Sequence, residues 1–114
     1  MPYIEAKVSC KLSEEQIEAL KNDFGKAIEC IPGKSENWLM VNIEDEKRLY
    51  FKGNADDETA YIYVSILGHA EPDAYAALTN EITIIVSEIT GISGSRIYVS
   101  YREADTWGWN GSNF

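Results

Sequence analysis

The first two residues, Met1 and Pro2, offer the most unusual chemistry in this sequence. If Met1 is removed, which the small residue after it permits, Pro2 becomes the N-terminus and presents a secondary amine. A terminal amine has an ordinary pKa of about 7.7–8.0, which is close enough to neutrality for acid–base catalysis. A second interpretation stays open, because a proline can simply begin a strand, where its missing N–H is tolerated.

Other reactive side chains are few and scattered. Cys10 and Cys30 have no metal-site spacing and form no Cys-x-x-Cys pair, so we expect two reduced structural thiols. His69 is the only histidine, and we expect it to have no partners, which favours neither a metal site nor a catalytic triad. The sequence therefore predicts chemistry without a metal or an organic cofactor.

The composition indicates one acidic globular domain. The chain has 114 residues, 45% of them hydrophobic, and a formal net charge of −9. That charge argues against nucleic acid as a partner, because phosphates require surfaces rich in lysine and arginine. No apolar run approaches the roughly 18 residues of a membrane span, and no basic and apolar leader begins the chain. We expect a cytoplasmic protein that does not enter membranes.

An internal repeat divides the domain into two halves, at about residues 2–43 and 60–101. The halves align without a gap and share identical residues at matching positions. The alignment places Tyr3-Ile4 on Tyr61-Ile62, Ala19-Leu20 on Ala77-Leu78, Gly33 on Gly91 and Val41 on Val99. A repeat of this length predicts two copies of one supersecondary unit.

The first half is predicted to be strand, helix, strand. Apolar residues alternate from Ile4 to Cys10, a period of two. Ser13 and Gln16 have the spacing of a capping box, and an apolar helical stripe then runs to Ile31, before Pro32-Gly33. A second strand is predicted over residues 38–43.

The second half repeats this order. Ala60–Leu67 is predicted to be a strand, Pro72 begins a helix and Gly91 ends it. Arg96–Tyr101 is predicted to be the last long strand, and Leu49–Lys52 has the composition of a short strand between the halves.

The two βαβ units predict an α+β fold, a four-stranded sheet with two helices on one face. The strand over residues 60–67 is apolar on both sides, as in sheets that are covered on both faces. One helical layer covers one face only. We therefore expect another copy of the chain on the second face, and hence an oligomer.

Five features together resemble the macrophage migration inhibitory factor family of the tautomerase superfamily, and the resemblance covers the whole chain. They are Met1-Pro2, Gly33-Lys34, Ser65-Ile66, the stretch 96–101 (RIYVSY) and the tail 108–114 (GWNGSNF). The resemblance implies a homotrimer with active sites between subunits. It also implies keto–enol tautomerisation of phenylpyruvate-like α-keto acids and of D-dopachrome-like compounds.

The resemblance assigns roles to individual residues. Pro2 would be the general base, with an amine pKa lowered by burial and by the cation of Lys34. Lys34 would bind the substrate carboxylate, although a lysine near the end of a helix is also favoured by the helix dipole. Ile66 would offer its backbone N–H to the substrate, and its side chain also suits the core.

Aromatic residues would complete the pocket. Tyr98 matches the tyrosine that a neighbouring subunit contributes in the family, and a tyrosine satisfied within an interface is the alternative. An apolar wall that excludes water is expected, although plain packing explains each member equally well. The wall residues are Trp38, Trp107, Trp109 and Phe114.

Two departures from the family pattern limit the comparison. Ser100 stands where many mammalian members have asparagine, which changes the polarity of the pocket and puts the substrate preference in doubt. The mammalian Cys-x-x-Cys is absent, so no thiol oxidoreductase activity is inferred.

Two other function classes remain open. The chain could be a cytokine-like protein that binds a receptor through a vestigial pocket, and family members can leave cells without a signal peptide. A related dehalogenase or decarboxylase chemistry ranks lower, because it usually needs arginines near the proline. The three arginines are Arg48, Arg96 and Arg102.

Overall fold

The computed structural model describes residues 1–114 and contains one four-stranded mixed sheet. The strand order is β2-β1-β3-β4; β1 pairs with β2 and β3 with β4 in parallel, while β1 and β3 are antiparallel. The two predicted βαβ halves therefore join along their first strands. The strands are β1 (Pro2–Val8), β2 (Met40–Glu44), β3 (Ala60–Leu67) and β4 (Ile97–Ala104).

The two helices, α1 (Glu14–Ala27) and α2 (Pro72–Thr90), begin as predicted. Ser13 Oγ accepts from the Gln16 N–H at 3.1 Å and Gln16 Oε1 accepts from the Ser13 N–H at 2.8 Å, so the capping box is confirmed. Gly91 caps α2 with a φ of 80°, a conformation that favours glycine. Neither helix combines the length and the apolar character that crossing a membrane requires.

Both helices cover the same face of the sheet, as predicted. Alternate residues of the two central strands are buried against them, and the helices contribute their apolar stripes to one continuous core. The core includes Ile4, Ala6, Val8, Ile62, Val64 and Ile66 from the strands and Leu20, Phe24, Leu78, Ile82 and Val86 from the helices.

The opposite face of the sheet is open in the single chain and is largely polar. Tyr3 OH donates to Glu5 at 2.9 Å, and the Lys7 ammonium lies 3.2 Å from the same carboxylate. On β3 this face carries Tyr61, which is 39% exposed, followed by half-buried residues at 63, 65 and 67. This polar face does not meet the expectation that the strand over residues 60–67 is apolar on both sides, and a second copy on the face stays a prediction.

Several element boundaries differ from the predictions. The last turn of the first helical stripe is a 3-10 turn, Ile28–Cys30, because Ile31 precedes Pro32 and adopts an extended conformation. Strand β1 ends at Val8 rather than Cys10, where the Ser9 hydroxyl accepts from the Thr59 N–H.

The second strand of each half also begins later than predicted. Trp38 lies in a 3-10 turn that Ser35 caps, and Arg96 lies in one that Ser93 caps, so the serines hold these residues outside β2 and β4. The predicted strand at Leu49–Lys52 is wrong, since only a single bridge joins Phe51 to Asn54 around a tight turn.

Candidate active site

A cleft of about 490 Å³ opens at the start of β1. Strand residues form its floor and aromatic residues form its wall. Its lining residues are Pro2, Tyr3, Trp38, Met40, Tyr63, Ser65, Trp107, Gly108 and Trp109. We place the candidate site here because Pro2 lines this cleft, whereas a cleft of about 460 Å³ between the two helices contains no part of β1.

Pro2 is buried at the head of β1, an interior strand of the sheet, as predicted. It stands opposite Ile66 of β3, and next to this pair the Leu67 N–H donates to the Met1 carbonyl at 3.1 Å. The Ile66 side chain is 1% exposed and belongs to the core. The expected backbone role of Ile66 therefore stays a prediction.

Lys34 reaches the same end of the sheet from the loop after α1. Gly33 turns the chain with a φ of 81°, and the Lys34 Nζ donates to the Leu67 carbonyl at 2.9 Å. Burial, and then the Lys34 ammonium, lower the pKa of the Met1 amine from 8.0 to about 6. An amine at this end of β1 is therefore mostly neutral at pH 7 and able to accept a proton.

Three of the four predicted wall residues line the cleft, and the fourth supports them. The Trp38 and Trp109 rings meet edge to face, with centroids 5.1 Å apart and planes at 89°. Phe114 is not in the lining, but its ring centroid lies 6.3 Å from that of Trp109. A small hairpin, β5 (Gly108–Trp109) and β6 (Ser112–Asn113), holds the tail in this position.

The sequence missed five lining residues, Tyr3, Met40, Tyr63, Ser65 and Gly108. Tyr3 pairs with Met40 on one side and with Ser65 on the other, so these residues share the open face beside Pro2. The period of two in β1 and β3 was the signal that could have found them.

Tyr98 and Ser100 do not join the cleft of their own chain. Tyr98 pairs with Tyr61, five residues along β3 from Ile66, which is about 17 Å at strand spacing. Its ring is 61% exposed and meets Phe51 edge to face at 5.2 Å. The Ser100 hydroxyl bonds Tyr61 OH at 2.6 Å. Their contribution to a neighbouring subunit's site stays a prediction.

The remaining candidate residues have structural surroundings. Cys10 and Cys30 are free and half-buried, and burial raises the pKa of both thiols. Arg96 is almost fully buried, where its guanidinium donates to Thr59 Oγ1 at 3.0 Å. No group of three His, Cys, Asp or Glu side chains could hold a metal ion.

The expectation that His69 lacks partners is wrong. Its Nδ1 lies 3.1 Å from Glu103 Oε1 and its Nε2 lies 3.5 Å from a Glu71 oxygen. Hydrogen bonding to Glu103 and the nearby negative charges raise the pKa of His69.

Comparison with known proteins gives the class to which this fold and cleft belong. The family model described as macrophage migration inhibitory factor (MIF) matches residues 1–114. The chain therefore belongs to the macrophage migration inhibitory factor family. The comparison with curated proteins found no significant match.

Solved structures agree with this assignment. MIF2 of Leishmania major is 30% identical, with a TM-score of 0.92 over 100% of this chain and 97% of that one. The MIF homologue of Prochlorococcus marinus is 25% identical, with a TM-score of 0.87 over 98% of each chain. The MIF of Toxoplasma gondii, at 20% identity over 98% of this chain and 99% of that one, shares the fold with a TM-score of 0.90.

Proposed function

We propose that this protein is a keto–enol tautomerase that acts on phenylpyruvate-like α-keto acids, with Pro2 as general base after Met1 removal. The observation that carries the proposal is the depressed pKa, about 6, of the terminal amine beside Lys34. The same two causes, burial and the Lys34 ammonium, would act on the Pro2 amine once Met1 is gone. Membership of the family supports the same chemistry.

The proposed reaction moves one proton. The substrate carboxylate binds the Lys34 ammonium, which exchanges its bond to the Leu67 carbonyl for one to the substrate. The neutral Pro2 amine takes the proton from the enol O–H, and the C=O bond forms from that electron pair. The former C=C electrons then take the proton back from the Pro2 ammonium and form the new C–H bond. No electrons leave the substrate, so no redox partner is needed.

The aromatic wall would bind the substrate ring and keep water away from the amine. Trp38 and Trp109 already meet edge to face, the arrangement that aromatic rings prefer. A substrate phenyl ring can add to this cluster from the cleft side. The substrate class is therefore α-keto acids with a flat apolar side chain.

The proposed active form is a homotrimer in which Tyr98 and Ser100 serve a neighbouring subunit's site. Two features support it: the exposed Tyr98 ring and membership of the family. In a closed ring of three subunits, every site is formed in the same way by one chain and its neighbour.

The test is phenylpyruvate ketonisation by tag-free protein whose mass shows that Met1 is absent. Pro2→Gly keeps a terminal amine but loses the secondary amine, and we expect its kcat/KM to fall at least about 100-fold. Tyr50→Ala, at an exposed position outside the cleft, serves as control and should keep its activity. A Pro2→Gly variant as active as the wild type would exclude the proposed base.

A second candidate function is cytokine-like binding of a protein partner or receptor. Trp38 and Trp109, which line the cleft, and Phe114, which contacts Trp109, are 53%, 50% and 59% exposed, an aromatic patch that a partner could cover. Receptor binding that survives Pro2→Gly, in a chain without tautomerase activity, would favour this function.

We also propose that the tautomerase acts in the cytoplasm, which cell fractionation tests.

A further inference from the structure

Glu103 lies in line with the candidate site, on the far side of β3. It pairs with Ile66, and Ile66 pairs with Pro2, so the three residues form one row across the sheet. The Glu103 carboxylate accepts hydrogen bonds from Tyr75 OH at 2.6 Å and from the Ala70 N–H at 3.1 Å. It also bonds the His69 ring at 3.1 Å. One carboxylate thus bonds two groups of the segment between β3 and α2 and one side chain from the start of α2.

Leu67, the last residue of β3, directly precedes that segment and contacts the candidate site. Its carbonyl accepts from Lys34 Nζ, and its N–H donates to the Met1 carbonyl, a bond that Met1-free protein does not have. Gly68 follows with a φ of 90°, a conformation that glycine leaves easily when nothing restrains the chain. The Gly68 N–H bonds Ala104, the residue after Glu103. Residues 67–70 are therefore fastened to the end of β4 on one side and to Lys34 on the other.

We propose that Glu103 is a positioning residue: by fixing the segment after β3, it holds the Leu67 carbonyl where it keeps the Lys34 ammonium beside the terminal amine. Its importance for catalysis rests on the proposed function. Its effect on the amine does not, because the amine titrates whether or not the protein turns over a substrate.

Hydrogen bonds keep the Glu103 carboxylate ionised, and therefore able to accept all three bonds, well below the usual pKa of a glutamate. The hydrogen bonds from Tyr75, His69 and Ala70 lower the pKa of Glu103 to about 2. The same carboxylate, after burial, raises the pKa of Tyr75, and it is the main cause of the raised pKa of His69. Glu71 is the other charged group that faces His69, at 3.5 Å.

The sign of the effect separates positioning from simple electrostatics. Removing a nearby carboxylate makes the surroundings more positive, which by itself would lower the pKa of the amine. Releasing Lys34 from its place beside the amine would raise that pKa instead. The two explanations of a Glu103 variant therefore predict opposite shifts.

The experiment is an NMR titration of the ¹⁵N-labelled Pro2 amine in Met1-free protein. We expect Lys34→Gln to raise the amine pKa by about 1 and Glu103→Ala to raise it by about 0.5. Glu103→Gln keeps one oxygen for the Ala70 N–H and should raise it less. Glu71→Gln is the matched control, because it removes a carboxylate beside His69 without releasing the segment after β3.

Each outcome decides between the explanations. An unchanged or lowered amine pKa in Glu103→Ala, with a raised one in Lys34→Gln, overturns the proposal and leaves the proposed function intact. No shift in Lys34→Gln overturns it as well. If Glu103→Ala does not fold, Tyr75→Phe removes only the 2.6 Å bond and should still raise the amine pKa. If the protein has no tautomerase activity and the amine pKa still rises in Glu103→Ala, the positioning role is supported and only the proposed function is contradicted.

Discussion

Replacing Trp109 by alanine should lower kcat/KM for aromatic substrates more than for aliphatic ones. Trp109 holds two aromatic contacts, with Trp38 at 5.1 Å and Phe114 at 6.3 Å, and its ring lines the cleft. An aromatic pair contributes about 0.5–1.5 kcal/mol beyond its buried area. Since about 1.4 kcal/mol corresponds to a tenfold change in rate, loss of one ring contact with a phenyl substrate should lower kcat/KM about 2- to 12-fold.

The assay compares kcat/KM for phenylpyruvate and for a short aliphatic α-keto acid in the same variants. Trp109→Phe keeps a ring and should lose less than Trp109→Ala. Tyr50→Ala removes an aromatic side chain that is 73% exposed outside the cleft, and it controls for a general effect of surface rings. An equal fall for both substrates in Trp109→Ala would refute the assignment of this ring to substrate binding.

Three further predictions concern the base, the acid limit of stability and the assembly. The neutral Pro2 amine is the active form, and burial and Lys34 should lower its pKa as they lower that of the Met1 amine, so kcat/KM should rise as the pH passes through this lowered pKa. Lys34→Gln should move the midpoint upwards, while Lys26→Gln, in the cleft between the helices, should leave it in place. Equal midpoints in the wild type and Lys34→Gln would contradict the role of Lys34. The pKa of Glu103 is lowered from 4.5 to about 2, so its contribution to stability is present above about pH 4.5 and is lost as the pH falls towards 2. Below pH 4.5, the free energy of unfolding, measured by urea titration, should therefore fall less steeply in Glu103→Gln than in the wild type. An equal fall in the two proteins would contradict this role of Glu103. Co-expressed Pro2→Gly and Tyr98→Ala subunits should regain about a quarter of wild-type activity, because a quarter of the sites in randomly mixed trimers contain both an intact Pro2 and an intact Tyr98. Mixed trimers that are as inactive as each variant alone would show that Tyr98 does not serve a neighbour's site.

The sequence predicted the elements well and their ends less well. The helical stripes, the capping box at Ser13 and Gly91 are local signals, so the starts of both helices and the end of α2 could be found without the structure. The starts of β2 and β4 were placed too early, because Ser35 and Ser93 cap short turns there. Such capping competes with the extended backbone and leaves little trace in hydrophobic periodicity.

The site was partly predictable for similar reasons. Pro2, Lys34 and three of the four wall residues were found from the family pattern, and the structure brings them to one end of the sheet. The His69–Glu103 contact was missed, because it joins residues 34 positions apart. The predicted last strand also stopped at Tyr101, whereas β4 continues to Ala104, so nothing placed Glu103 opposite Ile66.

The most direct test of the central claim follows activity while Met1 is removed in vitro from purified full-length chain. The mass of the protein and its rate of phenylpyruvate ketonisation are recorded on the same samples over time. If the Pro2 amine is the base, activity should appear in proportion to the Met1-free fraction and start near zero. Full activity in protein that still carries Met1 would contradict the account.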